Sequence, residues 1–169
     1  MNNIILIGMP GVGKSTLGVV LAKVLGFQFI DADLLIQEQE RKKLHQIIKE
    51  VGINGFMEIE NQVNASIEAE RSVIATGGSV VYCRQAMSHL KEIGTVVYLK
   101  VSLSTLEKRL GNLKRRGVIL KKGQTLKDLY EERVPLYEKY ANVVVDEKGR
   151  DLEECLQLLL EKLDTEVEG

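Results

Sequence analysis

The chain has 169 residues, 44% of them hydrophobic and 28% charged, a balance that suits one soluble globular domain with length enough to bury a core. A formal net charge of -1 excludes a global field favouring nucleic acid or an anionic membrane, and no apolar run is long enough to span a bilayer. The two cysteines, Cys83 and Cys155, have no metal-type spacing and fit a reduced, cytoplasmic setting in which thiols act as small apolar residues.

Asn3-Ile4-Ile5-Leu6-Ile7 is a short apolar run of buried-strand type. It leads into Gly8-Met9-Pro10-Gly11-Val12-Gly13-Lys14-Ser15-Thr16, which fits G-x-x-x-x-G-K-[ST], the phosphate-binding P-loop. Leu17, Val20, Leu21, Val24 and Leu25 then recur at helical spacing, with Gly26 placed to end the helix. Strand, glycine loop and helix is the context this chemistry needs. The curled backbone turns N–H groups inward, and the helix N-terminus adds partial positive charge. Gly11, Val12, Gly13, Lys14, Ser15 and Thr16 are therefore expected to bind a nucleoside triphosphate, with Lys14 on the β- and γ-phosphates and the Ser15 hydroxyl on Mg²⁺.

Phe27-Gln28-Phe29-Ile30 reads as a second strand ending in Asp31-Ala32-Asp33. Period-2 spacing in an extended segment puts both carboxylates on one side. Such a pair can support Mg²⁺ and orient an acceptor hydroxyl or take its proton; alternatively, Asp33 caps a helix starting at Leu34. Residues 34–50 read as a polar helix, and Gly52 and Gly55 loosen the next stretch. Phe56, Ile59, Val63 and Ile67 predict an amphipathic helix over 56–70.

Val73-Ile74-Ala75-Thr76 is a third strand running into Gly77-Gly78-Ser79, a turn that permits close backbone approach to a ligand. A helix carrying Val81, Met87 and Leu90 comes next, then a fourth strand, Thr95-Val96-Val97-Tyr98-Leu99. Ser102 or Ser104 is placed to cap the next helix, which ends near Gly111. Residues 111–124 carry Lys114, Arg115, Arg116, Lys121 and Lys122 without an acid, and glycines punctuate the run, as expected for a mobile lid closing over phosphates. Thr125 is a cap for another helix, in which Pro135 predicts a kink or break around Val134, beside Arg133. Asn142-Val143-Val144-Val145 is a fifth strand, and Leu152, Cys155, Leu156, Leu159 and Leu163 give a final amphipathic helix. Five β–α repeats predict an α/β fold, a three-layer α/β/α arrangement around a five-stranded parallel sheet, as one domain over 1–169.

These motifs, in this order, resemble the shikimate kinase family, P-loop enzymes of nucleoside-monophosphate-kinase-like fold, along nearly the whole chain. Asp31-Ala32-Asp33 is similar to the family's Asp-x-Asp, which implies Asp31 near the magnesium and Asp33 on the acceptor diol. Phe56-Met57-Glu58-Ile59-Glu60 is similar to its Phe-Arg-x-x-Glu, and Gly77-Gly78-Ser79 to its triple-glycine turn. The resemblance puts Arg109 beside the adenine, Arg150 with the nucleotide, Arg115 or Arg116 on the transferring phosphate, and Arg133 on the substrate carboxylate. It implies an acceptor segment over about 33–70 and a lid over about 111–124. It also implies a cytoplasmic, monomeric enzyme that uses ATP and Mg²⁺ to phosphorylate shikimate in aromatic amino-acid biosynthesis, with a small molecule as partner rather than nucleic acid or membrane.

Two residues depart from the pattern. Met57 stands where the family has a carboxylate-binding arginine, and loss of such a contact costs on the order of 2–5 kcal/mol. Ser79 keeps the backbone N–H of the third glycine but narrows the pocket. They leave open a kinase for another hydroxylated metabolite, or a nucleotide-binding protein with little transfer activity.

Overall fold

The computed structural model describes residues 2–110 and 121–168, with the side chains of 166–168 outside the description. The strands are β1 (Asn3–Ile7), β2 (Gln28–Asp31), β3 (Ser72–Ala75), β4 (Gly94–Lys100) and β5 (Val143–Asp146). They form one parallel sheet in the order β2-β3-β1-β4-β5. The expected fold class is observed. β1 and β3 are buried at every position, which explains why each reads as an unbroken apolar run rather than an alternating one.

The helices are α1 (Lys14–Leu25), α2 (Ala32–Glu40), α3 (Leu44–Ala65), α4 (Arg84–Ile93), α5 (Leu103–Arg109), α6 (Leu126–Tyr140) and α7 (Leu152–Glu168). A 3-10 turn, Val80–Tyr82, precedes α4. α1 packs against β2 and β3 and touches α7, while α4 and α6 pack on β4. β1 is central, and the chain winds from it toward β3 on one side and β4 on the other. The crevice beyond its carboxyl end is the topological switch point, where open α/β sheets bind ligands. A second, smaller apolar cluster of Ile36, Ile47, Phe56 and Val63 holds α2 to α3.

Three local expectations change. The predicted helix over 34–50 is two elements: α2 ends at Glu40 with Arg41 in the left-handed region, and α3 starts at Leu44. α3 then runs to Ala65 through a kink at Gly52. The cap of α2 is Asp31 rather than Asp33, because the helix begins at Ala32 and the Asp31 carboxylate accepts from the Asp33 and Leu34 N–H groups. Helix α6 continues through Pro135 without a break. A proline inside a helix costs about 3 kcal/mol. Here a capping box between Thr125 and Asp128, and the buried i, i+4 row Leu129, Arg133 and Tyr137, hold the helix on both sides of it. The basic residues Lys114, Arg115 and Arg116 of the predicted lid lie outside the described residues. Among the described residues no helix is long and apolar enough to cross a membrane.

Candidate active site

The loop between β1 and α1 is built on left-handed glycines, Gly11 at φ 86° and Gly13 at φ 87°. Gly13 is the residue immediately before α1, so the helix's free N–H groups open toward the loop. Lys14 is 8% exposed, and its Nζ donates to the carbonyls of Gly8 (2.7 Å) and Met9 (3.0 Å). Burial lowers its pKa to about 8, against the opposing pull of Asp33. The ammonium therefore sits in a poorly hydrated place, where its charge acts strongly on a phosphate.

Beside the loop, a cleft of about 370 Å³ is lined by Lys14, Ser15, Asp31, Asp33, Glu60, Gly77 and Arg133, among others. Gly11, Gly13, Thr16, Gly78 and Ser79 also line it. The two aspartates share this cleft, though not through strand periodicity. Asp31 closes β2, and Asp33 lies in the first turn of α2. One Asp31 oxygen caps α2 while the other accepts from the Ser15 hydroxyl at 3.3 Å. That hydroxyl–carboxylate pair fits Mg²⁺, a hard cation that takes few protein oxygens and fills its shell with water and phosphate. Burial raises Asp33 to about 6, opposed by Lys14.

The Gly77-Gly78 turn is pinned between elements. A Cβ on Gly77 would stand 2.7 Å from Asp33 Oδ1 and 2.9 Å from Glu60 Oε2, and one on Gly78 would stand 2.8 Å from Pro10 and 2.9 Å from an Arg133 nitrogen. Only glycine lets the P-loop, α2, α3 and α6 converge here. Tyr137 braces the turn by donating to the Gly78 carbonyl at 2.6 Å. Arg133 is 2% exposed, its guanidinium lies 5.5 Å from the centre of the Tyr82 ring, and its Nε has no partner among the described residues. A buried guanidinium with a free donor is suited to an anionic ligand group.

Glu60 was readable only through the resemblance, and it lies inside the cleft at 1% exposure. Burial raises it to about 7, and Ser79 opposes the shift by donating to Oε1 at 2.6 Å. Four predicted residues, Met57, Arg109, Arg150 and Val12, stand apart from the cleft lining. Met57 lines a neighbouring cavity of about 170 Å³ that shares Arg133. Arg109 donates to the Gly11 carbonyl at 3.0 Å and pairs with Glu147 at 3.8 Å, next to the P-loop. Arg150 donates to the Asp146 carbonyl at 2.8 Å. Val12 is buried beneath the loop. Arg115 and Arg116 fall outside the described residues.

A family model described as shikimate kinase matches residues 10–164. A shikimate kinase of Sulfurihydrogenibium sp. is 35% identical over 164 residues, covering 96% of this chain and 98% of that one. One from Clostridium botulinum is 40% identical over 148 residues, covering 85% and 87%. The solved shikimate kinase from Acinetobacter baumannii in complex with shikimate superposes with a TM-score of 0.88 at 29% identity, covering 98% of this chain and 94% of that one. The cleft at the switch point, the ordered motifs and these matches agree, and the chain belongs to the shikimate kinase family.

Proposed function

We propose that this chain, an ATP-dependent phosphotransferase of the shikimate kinase family, transfers the γ-phosphoryl group of ATP to a hydroxyl of shikimate through the residues that line the cleft. One observation carries the assignment: Lys14, Asp33 and Arg133 converge on a single cleft at the carboxyl ends of the strands. The P-loop N–H groups and Lys14 hold the β- and γ-phosphates. Ser15 and Asp31 are the residues that would hold Mg²⁺, which supplies charge neutralisation at the phosphates. Asp33 accepts the hydrogen bond of the acceptor hydroxyl and takes its proton as the new oxygen–phosphorus bond forms and the bond to the ADP oxygen breaks. Arg133 binds the acceptor carboxylate, and the backbone at Gly77 and Gly78 lies alongside the acceptor. The resemblance gives Arg115 or Arg116 the charge developing on the transferring group, and gives Arg109 and Arg150 to the nucleotide.

The test is MgATP-dependent ADP release with shikimate titrated in. Saturable stimulation is expected. Asp33→Asn should lower turnover by about 10²-fold or more while nucleotide affinity stays within a factor of about three, because only the proton acceptor is lost. Turnover by Asp33→Asn at the wild-type rate would remove Asp33 from that role. Stimulation by another hydroxy acid but not by shikimate would overturn the substrate.

A further inference from the structure

One departure from the family pattern, Ser79, contacts the Glu60 carboxyl, and the other, Met57, is a near neighbour of Glu60 on the same helix. Position 57 and Glu60 are three residues apart on α3, so their side chains are helix neighbours. An arginine at 57 would reach the Glu60 carboxylate; Met57 cannot. The Cys83 thiol packs against this stretch of α3, 3.7 Å from the Met57 backbone carbonyl and 3.8 Å from Glu60 Oε1. The Ser79 hydroxyl donates to that same Oε1 at 2.6 Å, where a glycine would offer nothing. The other oxygen, Oε2, has no partner among the described residues and faces Gly77 opposite Asp33.

We infer that Ser79 is a positioning residue of the acceptor site: its hydroxyl holds Glu60 where an arginine at 57 otherwise would, so that Met57 and Ser79 are one coupled change, and Glu60 Oε2 is left to accept a hydroxyl of the acceptor beside Asp33. The inference rests on shikimate, or a like hydroxy acid, being the acceptor. A buried carboxyl without a partner swings away or draws in water, and a hydrogen bond to a charged group is lost with it. The groups that face Glu60 are Ser79 and Cys83 from the turn and 3-10 segment, Asp33 from α2, and Arg133 and Tyr137 from α6. Arg133 stabilises the carboxylate but is also the anion-binding donor of the cleft.

The test is a double-mutant cycle on the full chain with wild type, Ser79→Gly, Met57→Arg and the double variant. Each is assayed for the KM of shikimate at saturating MgATP and, without ligand, for melting temperature. Ser79→Gly should raise KM about tenfold and change kcat less. Adding Met57→Arg to it should recover that loss, so the arginine's gain is about tenfold larger with glycine at 79 than with serine. Ser79→Ala, which removes the hydroxyl without freeing the backbone, should match Ser79→Gly. It should also move the Glu60 limb of the kcat/KM pH profile upward, a change that a purely structural role would not produce. Independent effects of the two positions in both KM and melting would overturn the inference, as would an unmoved pH profile in Ser79→Ala. If wild type fails to turn over shikimate, the substrate reading falls by itself, and the ligand-free melting cycle still decides whether 57 and 79 are coupled.

Discussion

Glu60 is the residue at which stability and chemistry oppose each other most clearly. Unfolded, its carboxyl titrates near 4.5; in the cleft, burial holds it at about 7. Between those values the folded protein binds a proton that the unfolded chain has released. Stability therefore falls as pH rises through that window, by about 1.4 kcal/mol for each pH step across it. Glu60→Gln cannot take on that charge. It should melt together with wild type near pH 4 and above it at pH 8, with a difference on the order of 3 kcal/mol, read by thermal denaturation across a pH series. A constant offset at all pH values would mean that Glu60 ionises freely in the fold. The amphipathic pattern alone could not single this residue out. Glu58, two positions earlier on α3, is exposed. What buries Glu60 is the turn around Gly77 and Ser79, brought over it by the pairing of β3 with β1 and β2.

At the scale of elements, α3 is bent at a glycine. Gly52 stands at φ 76° and ψ 176°, inside a run that is otherwise helical. That backbone region belongs almost wholly to glycine and costs another residue about 1–3 kcal/mol. A Cβ there would meet nothing within 4 Å, so the cost of Gly52→Ala is conformational alone. The expected variant melts several degrees lower and shows a raised KM for shikimate with the KM for ATP nearly unchanged, since Phe56 and Glu60 lie beyond the bend and the P-loop does not. Melting and kinetics equal to wild type would mean that the helix straightens without consequence. Gly52 was legible as a loosening of the chain, but not as a kink within one continuous element. The difference lies in Ile36, Ile47, Phe56 and Val63, whose mutual packing spans the bend. The strands and the P-loop were legible because their causes are local: buried parallel strands need unbroken apolar runs, and the phosphate loop needs its glycines and lysine in a fixed order. The start of α2 was misread because either Asp31 or Asp33 is a competent cap, and only the backbone decides between them.

Across the whole molecule, the parallel sheet gathers groups far apart in sequence at one end of its strands. Lys14 follows β1, Asp33 follows β2, Glu60 comes from α3, Gly77 follows β3, and Arg133 comes from α6. Their charges are of both signs and poorly hydrated, so the site is a region the rest of the fold must stabilise. Lys14 is the cationic case. Below pH about 8 the folded protein keeps its ammonium buried and charged, at a cost that the unfolded chain escapes. On the role proposed for Lys14, bound nucleotide should reverse that cost, with triphosphate replacing the loop carbonyls as the partner of Nζ. Wild type with MgATP at about 100 times its Kd should gain about 2.7 kcal/mol, or roughly 5–11 °C in melting temperature. Lys14→Met should melt no lower than wild type without ligand at pH 7, yet lose most of the shift at the same MgATP concentration. A variant that melts lower and keeps its shift would mean that Lys14 serves the fold rather than the phosphates.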